Sequence, residues 1–347
     1  MTVVASQGHC PSPNPESGIR TIALAKTWDR RAIGALFRII REQRFDIIHV
    51  QYTPELYGRG SCLKLLPLAL TLRGGPPVVL APHTLIGGYP LATALAPFLV
   101  GFCRRIISTN EEVSYLISKY LTPFRGRTRE IPIGSNIPAF LIDKTQARFA
   151  LRTELGLAAG EILLAHFGFV YPGKGLETLF AALGILRAAG VQLKLAVVGD
   201  VWPGSEDYSG KLRRLSRELG ISDYVVWLGR CQPDRVGAVL SASDIYVVPY
   251  DEGISTRRGT LMAGIAYGLP IISTHSTLPS RWLRHNENVL LVPRKDPQAL
   301  AEAIQALIAS PSLCDQLHRG VMKLADTFSW STIARATIAV YREICPQ

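Results

Sequence analysis

Short apolar runs rich in β-branched residues alternate with longer stretches of helical period along the whole chain. In the first half, runs at 2–5, 47–50, 78–81, 105–108 and 129–132 predict strands, and 31–43 and 111–120 predict helices. In the second half, strands are expected at 162–168, 194–198, 225–228, 245–248, 271–273 and 289–292. Helices are expected there at 176–189, 211–219, 233–242, 259–267, 297–309 and 331–344. Apolar runs that do not alternate belong to strands buried on both faces, and strand–helix alternation implies parallel sheets. The scheme occurs twice, so the expected fold class is α/β, with two doubly wound, Rossmann-like domains. The stretch 134–145 opens with GSNIPAF, has no period, and reads as a linker. This puts a first domain at 1–138 and a second from 139. Such domains bind ligands outside the carboxyl ends of their strands, so a crevice between the two is the expected site.

Composition narrows the class. The 347 residues are 48% hydrophobic and 19% charged, which is too apolar for a disordered chain. No apolar run reaches the roughly 18 residues of a membrane helix, and MTVVASQGHC lacks the layout of a secretory signal. The six cysteines (10, 62, 103, 231, 314, 345) form no CxxC pair. They are expected to be reduced and mostly buried, in a cytoplasmic setting. The net charge of +11 is uneven: residues 1–145 carry 17 Lys+Arg against 9 Asp+Glu, and residues 146–347 carry 21 against 18. A basic first half fits an anionic partner.

Two segments carry chemistry. In HFGFVYPGKGLETLFAAL (166–183) a strand ends near Gly168, a Pro/Gly loop follows, and a helix starts near Leu176. Gly173 and Gly175 permit close backbone approach, the helix start offers free N–H groups, and Lys174 adds a cation. The spacing is neither that of a P-loop nor that of a dinucleotide fingerprint. A tight turn with a solvated lysine would also account for it. In VVPYDEGISTRRGTLMAGIAYGLPIIST (247–274) a buried strand is followed by a polar loop and a helix from Gly259. Arg257 and Arg258 sit just before that helix, with hydroxyls at Ser255 and Thr260. Helix starts ordinarily attract acids, so two arginines there point to an anion between them, such as a diphosphate. A surface arginine pair is the plainer alternative.

These segments, about 80 residues apart, resemble the GT-B glycosyltransferases of glycosyltransferase family 4. FDIIHVQ (45–51) is similar to the family's "pDivHvh" strand, and PPVVLAPHT (76–84) to its strand ending in histidine. REIPIGSNI, VVWLGRCQPDRVGAVLSASDIYVVPY and NENVLLVPRKDPQALAEAI resemble further family segments, the second of them written "v.flG.v....l..ly..adv.v.PS". FSWSTIARATIAVYREI resembles the terminal helices, which in this fold cross back to the first domain. The resemblance therefore implies a donor-binding domain over 139–327 and a returning helix over 328–347.

The departures matter as much. The family's N-terminal glycine-rich loop has no counterpart: PSPNPESG (11–18) has one glycine and comes late, so the chain reads as starting at the second strand. Phe169 stands where the family has a phosphate-binding arginine, while Lys174 is kept. The family's two glutamates lie eight residues apart. Counted back from Gly268 they fall on Ser255 and Ala263; counted forward from the EG pair they fall on Glu252 and Thr260. Gly268 and Pro270 favour the first register, in which both acids are replaced.

The resemblance implies transfer of a sugar from a nucleotide-diphosphate sugar to an acceptor hydroxyl, with these roles: Lys174, Arg257 and Arg258, with Gly173, Gly175 and Thr260, bind the donor phosphates; His83, Ser255 and Glu252 are the catalytic candidates; Gly168, Gly229 and Arg230 meet the nucleotide. No cofactor and no metal are expected, Asp251–Glu252 being the nearest acidic pair. The resemblance also implies retention at the anomeric carbon. The acceptor is expected to be a glycan or a lipid-linked species. The helix over 28–44 has arginines at 30, 31, 38, 41 and 44. A solvated face explains them, and contact with the inner face of a membrane is the sharper alternative; nucleic acid is not expected. Two other readings stay open: a member that binds nucleotide or carbohydrate without turnover, and a nucleotide-sugar epimerase.

Overall fold

The computed structural model describes residues 1–7, 18–57, 62–85, 96–137 and 144–345. Two compact units divide the chain: Met1–Pro132 with Arg335–Gln347, and Ile133–Ala334. The boundary thus falls earlier than 138/139, and the return to the first unit later than 328. The cause is packing. Ile133 and Ile137 pack against a core of the second unit, and Trp330 Nε1 donates to the Ser135 carbonyl at 2.7 Å.

In the first unit, β1 (Thr2–Ser6) and β2 (Arg20–Ala25) form a parallel pair. Strands β3 (Ile48–Tyr52), β4 (Val78–Pro82), β5 (Arg105–Ser108) and β6 (Thr128–Glu130) form a parallel sheet in sequence order. Around them lie α1 (Arg30–Gln43), the short α2 (Pro54–Tyr57), α3 (Leu66–Leu72), α4 (Ala96–Gly101) and α5 (Glu111–Tyr120). Helix α1 starts where it does because Asp29 accepts from the amides of Arg31 and Ala32. Asn110 caps α5 through the Val113 amide, with Glu111 and Glu112 at the positive dipole end.

The second unit holds α6 (Lys144–Glu154), β7 (Ile162–Phe167), α7 (Leu176–Ala188), β8 (Leu193–Val198), α8 (Glu206–Glu218), β9 (Val225–Gly229) and α9 (Pro233–Ala242). It continues with β10 (Ile245–Val248), α10 (Gly259–Ala266), β11 (Ile271–Thr274), β12 (Leu290–Val292), α11 (Pro297–Ala309) and α12 (Pro311–Thr327). Helix α13 (Trp330–Arg342) carries the chain back to the first unit. The six strands pair in parallel in the order β12-β11-β10-β7-β8-β9. Strand order therefore reverses between β7 and β10, and the loops after those two strands open the crevice in which doubly wound sheets hold ligands. Two apolar clusters, one around Phe180 and Leu195 and one around Tyr246 and Leu261, complete the core of this unit.

The expected α/β class with parallel sheets in both halves is observed. The cysteines differ from expectation: among those described only Cys103 is buried, and Cys62, Cys231, Cys314 and Cys345 are half-buried free thiols. Cys10 lies outside the described residues. Among the described residues no helix is long and apolar enough to cross a membrane.

Candidate active site

The loop after β7 and the loop after β10 meet. The Asp251 amide donates to the Gly173 carbonyl at 3.1 Å, joining the two segments singled out from the sequence. Gly168, Gly173 and Gly175 all have positive φ, and Gly175 opens α7 with no side-chain cap. Lys174 is only 6% exposed. Its Nζ lies 4.9 Å from the ring centre of Tyr171 and 5.4 Å from that of Tyr250. Among the described residues it forms no ion pair. Burial, reinforced by Arg258 and Arg257 and opposed by Glu252, lowers its pKa to about 8.

Arg258 ends the second loop as the residue before α10, which begins without a side-chain cap. Its guanidinium stacks over Tyr250 at 4.2 Å, and its Nε is buried with no hydrogen-bond partner. Arg257 Nη2 and Arg258 Nη2 both donate to Glu252 Oε2, at 2.8 and 3.0 Å. The anion that the arginine pair called for is, in this structure, the carboxylate of Glu252. That carboxylate is mostly exposed, so it can leave when a stronger anion arrives.

Beneath the cations lies a hydroxyl layer. Tyr250 and Thr260 share a hydrogen bond of 2.8 Å through their side-chain oxygens. Tyr246 donates to the Thr260 carbonyl at 2.8 Å, and Ser255 is buried with its Oγ 3.4 Å from the Arg257 amide. Burial pushes the Tyr250 phenol up to about 12, so it stays neutral. Phe169 does not replace its family counterpart as a ligand for phosphate. It is half-exposed and packs edge-on against Trp202, ring centres 5.0 Å apart.

The other expected residues are placed as follows. Gly229 ends β9, and its carbonyl accepts from the Gly199 amide at 2.8 Å; Arg230 beyond it is exposed. His83 belongs to the first unit and directly follows β4. Its Nε2 lies 2.8 Å from Gln51 Oε1, its carbonyl accepts from Asn110 Nδ2 at 2.9 Å, and burial lowers its pKa. Gln51 in turn contacts His49, which pairs with the Tyr341 hydroxyl of α13. His49 is held neutral, with its pKa lowered to about 4 by burial and by His83. Gly87 and Gly88 lie outside the described residues.

Two residues of this cluster carry no role in the sequence reading. Tyr250 underlies both Lys174 and Arg258; the signal was its presence where the family pattern prints serine after proline. His166 is fully buried near Lys174, its Nδ1 2.9 Å from the Val247 carbonyl and its Nε2 without a partner. Burial, together with the Lys174 charge and against the Val247 bond, lowers its pKa to about 4. No periodicity distinguishes such a histidine from its apolar neighbours.

The model of the family described as Glycosyl transferases group 1 matches residues 147–322. The chain belongs to that family. The D-inositol 3-phosphate glycosyltransferase of Nocardia farcinica is 28% identical over 241 residues, 69% of this chain and 52% of its own length. The protein of the same name from Rhodococcus erythropolis is 30% identical over 199 residues, 56% and 44% of the two chains. The chain spans about half the length of the curated relatives it matches. Among solved structures, Anabaena HepE in complex with UDP and glucose superposes with TM-score 0.74 at 18% identity, covering 94% of this chain and 87% of that one. Sucrose-phosphate synthase of Thermosynechococcus elongatus gives TM-score 0.74 at 22% identity, covering 99% and 88%. The likeness to both is one of fold, that of the GT-B glycosyltransferases.

The lysine sets a pH window for any anion bound beside it. In the free protein the ammonium is the major form below about pH 8 and is lost as pH rises through that value. Affinity for a nucleoside diphosphate is expected to be flat from pH 6.5 to 7.5 and to fall above pH 8. Isothermal titration across that range measures it, and an affinity that rises above pH 8 contradicts the lysine's role.

Proposed function

We propose that this protein transfers a sugar from a nucleoside-diphosphate sugar to an acceptor hydroxyl, without a divalent metal and with retention at the anomeric carbon. The observation that carries this reading is the convergence of Lys174, Arg257 and Arg258 with the uncapped start of α10 at the reversal of strand order. As the glycosidic bond breaks, negative charge grows on the leaving diphosphate. Fixed cations and helix-end amides already aimed there stabilise that charge without reorganising. The diphosphate takes the place of the Glu252 carboxylate on the two guanidiniums, and Lys174 adds a third cation from the facing loop. Gly173 and Gly175 let backbone approach the phosphates.

Metal independence is supported by Lys174, Arg257 and Arg258, which supply at the diphosphate the positive charge a divalent ion would bring, and Asp251 faces Lys295 at 3.8 Å. Retention rests on family membership. A glycan or lipid-linked acceptor follows the same reasoning, and His83 is the candidate contact on the first unit, oriented by Gln51. Ser255 and Thr260 line the phosphate side.

The testing experiment is a thermal-shift panel of nucleoside diphosphates and their sugars, followed by donor-hydrolysis and transfer assays with the responding donor. HepE was solved with UDP and glucose, so UDP and UDP-glucose head the panel. A selective shift by one nucleoside diphosphate with turnover of its sugar supports the proposal. Ser255 and Ala263 at the two acidic positions favour a second reading, binding without catalysis. A clear shift with no hydrolysis or transfer would establish that reading instead. No shift by any member of the panel removes both.

A further inference from the structure

Two large rings stand half in the open in the second unit. Phe169, in the loop after β7, is 48% exposed, and Trp202, in the loop after β8, is 49% exposed. They meet edge to face with ring centres 5.0 Å apart, and Tyr171 adjoins Trp202 at 6.0 Å. The backbone beneath holds the pair in place. Val170 and Val201 bridge the two loops. The Trp202 amide donates to the Val170 carbonyl at 3.1 Å, and the Val170 amide donates to the Asp200 carbonyl at 2.9 Å. At the root of the loops, a Cβ built on Gly199 would sit 2.1 Å from the Gly168 carbonyl oxygen, so the two backbones touch. An indole and a phenyl ring left half in water on such a frame forgo the burial that these side chains ordinarily gain. A ligand with an apolar face restores it.

The neighbours decide which ligand. Lys174 Nζ reaches Tyr250, which underlies Arg258, and also Tyr171, which adjoins Trp202. The aromatic pair therefore continues outward from the cations of the candidate site. The two faces of the sheet separate it from the nucleotide side. Helices α7 and α8 pack Phe180 and Leu212 with Leu195 and Val197, whereas α9 and α10 pack Leu240 and Leu261 with Ala196 and Val198. Successive strand residues point to opposite faces. Phe169 and Trp202 thus lead into the helices of one face, and Arg230 and Arg258 into those of the other. A nucleoside running from the diphosphate toward Gly229 and Arg230 takes the α9 side, which leaves the aromatic side to carbohydrate. A hexose suits this surface. Its polarised C–H face stacks on an aromatic ring, and its hydroxyls can donate to the exposed Asp200 carboxylate, which accepts from the Val201 amide at 2.9 Å. Resting on the donor-phosphate reading above, we propose that Phe169 and Trp202 form the stacking face for a hexose ring beside the diphosphate, and so select which sugar the site accepts.

The test titrates the full chain calorimetrically with inorganic pyrophosphate, with UDP and GDP, and with UDP-glucose and GDP-mannose. Methyl glycosides of glucose, galactose and mannose follow, with the nucleoside diphosphate held saturating. Phe169→Ala and Trp202→Ala are expected to bind pyrophosphate and the nucleoside diphosphate within about twofold of wild type, and to lose roughly tenfold or more for a sugar-bearing ligand. Trp202→Phe keeps a ring and should recover much of that loss; it also serves if Trp202→Ala does not fold. Phe149→Ala removes a ring that is 75% exposed on α6 and should match wild type. A loss for the nucleoside-diphosphate sugar assigns the stacked ring to the donor, and a loss confined to the glycosides assigns it to the acceptor; either supports the proposal. Equal losses for a nucleoside diphosphate and its sugar put the base on the rings and overturn it. So does a loss that extends to pyrophosphate, because the rings then act only by holding the Lys174 loop. Sugar-bearing ligands that both variants bind as tightly as wild type, or that a nucleotide-binding wild type ignores, also overturn it and leave the donor-phosphate reading standing. A wild-type protein that binds neither pyrophosphate nor any nucleoside diphosphate overturns that reading itself.

Discussion

Lys174→Ala is expected to abolish the stabilisation that a nucleoside diphosphate confers, while leaving the ligand-free protein as stable as wild type or more so. The two effects have opposite signs for one reason. The ammonium is 6% exposed and is buried toward two guanidiniums, with no ion-pair partner of its own among the described residues. In the free protein that arrangement is a cost, as its lowered pKa records. An anion in the site turns the cost into attraction. A ligand at a hundred times its Kd stabilises the wild type by about 2.7 kcal/mol, and the alanine variant should show close to none of this. Turnover should fall by about 10²–10³, the usual scale for losing one preorganised charge. Arg258→Ala should also remove the ligand response. Thermal melts with and without nucleotide, together with steady-state rates, read all of these quantities. A variant that melts well below wild type yet keeps its nucleotide shift would assign Lys174 to packing rather than to phosphate.

Gly175→Ala is expected to be among the most destabilising single substitutions in the second unit, at about 4 kcal/mol or more. The residue has φ +74°, and a Cβ built there would sit 1.8 Å from the Pro249 carbonyl oxygen. Both partners are backbone, so no side chain can swing aside. Relief would require the loop after β7 to part from the end of β10, breaking the Asp251–Gly173 bond on the way. Gly173→Ala provides the contrast. Its φ is +97°, but nothing lies within 4 Å of a Cβ built there, so only the backbone strain of about 1–3 kcal/mol applies. Urea titrations of the two variants separate the terms. Equal losses would mean that conformation, not close approach, governs this loop.

The fold of the second unit was legible because its strands are buried on both faces. Runs such as IYVV and LKLAVV announce themselves, and the expected strands there agree with the structure to within a residue. Several elements that escaped reading have diluted patterns. Strand β2, RTIALA, is half-buried and isolated from the main sheet. Helix α12 buries only Leu317, Val321 and Leu324 in a stretch broken up by polar residues and Gly320. Helix α8 starts five residues before the apolar pattern, at Glu206, because EDYSG forms its first turns without an apolar stripe. For the candidate site, charge against helix dipole singled out Arg257 and Arg258, and loop chemistry singled out Lys174. What one dimension cannot show is who neutralises whom. Glu252 bridging both arginines, and Tyr250 lying under two cations, depend on how the chain folds back after β10.

The return of α13 has a consequence for biosynthesis. Tyr341 pairs with His49, and Glu343 binds Arg105 and Arg129, so the first unit needs residues translated after every residue of the second. While the nascent chain emerges, Ile133–Ala334 has all of its own sequence available before the earlier unit does. The unit made first is therefore the one finished last, and its exposed partners for α13 wait through some 200 residues of elongation.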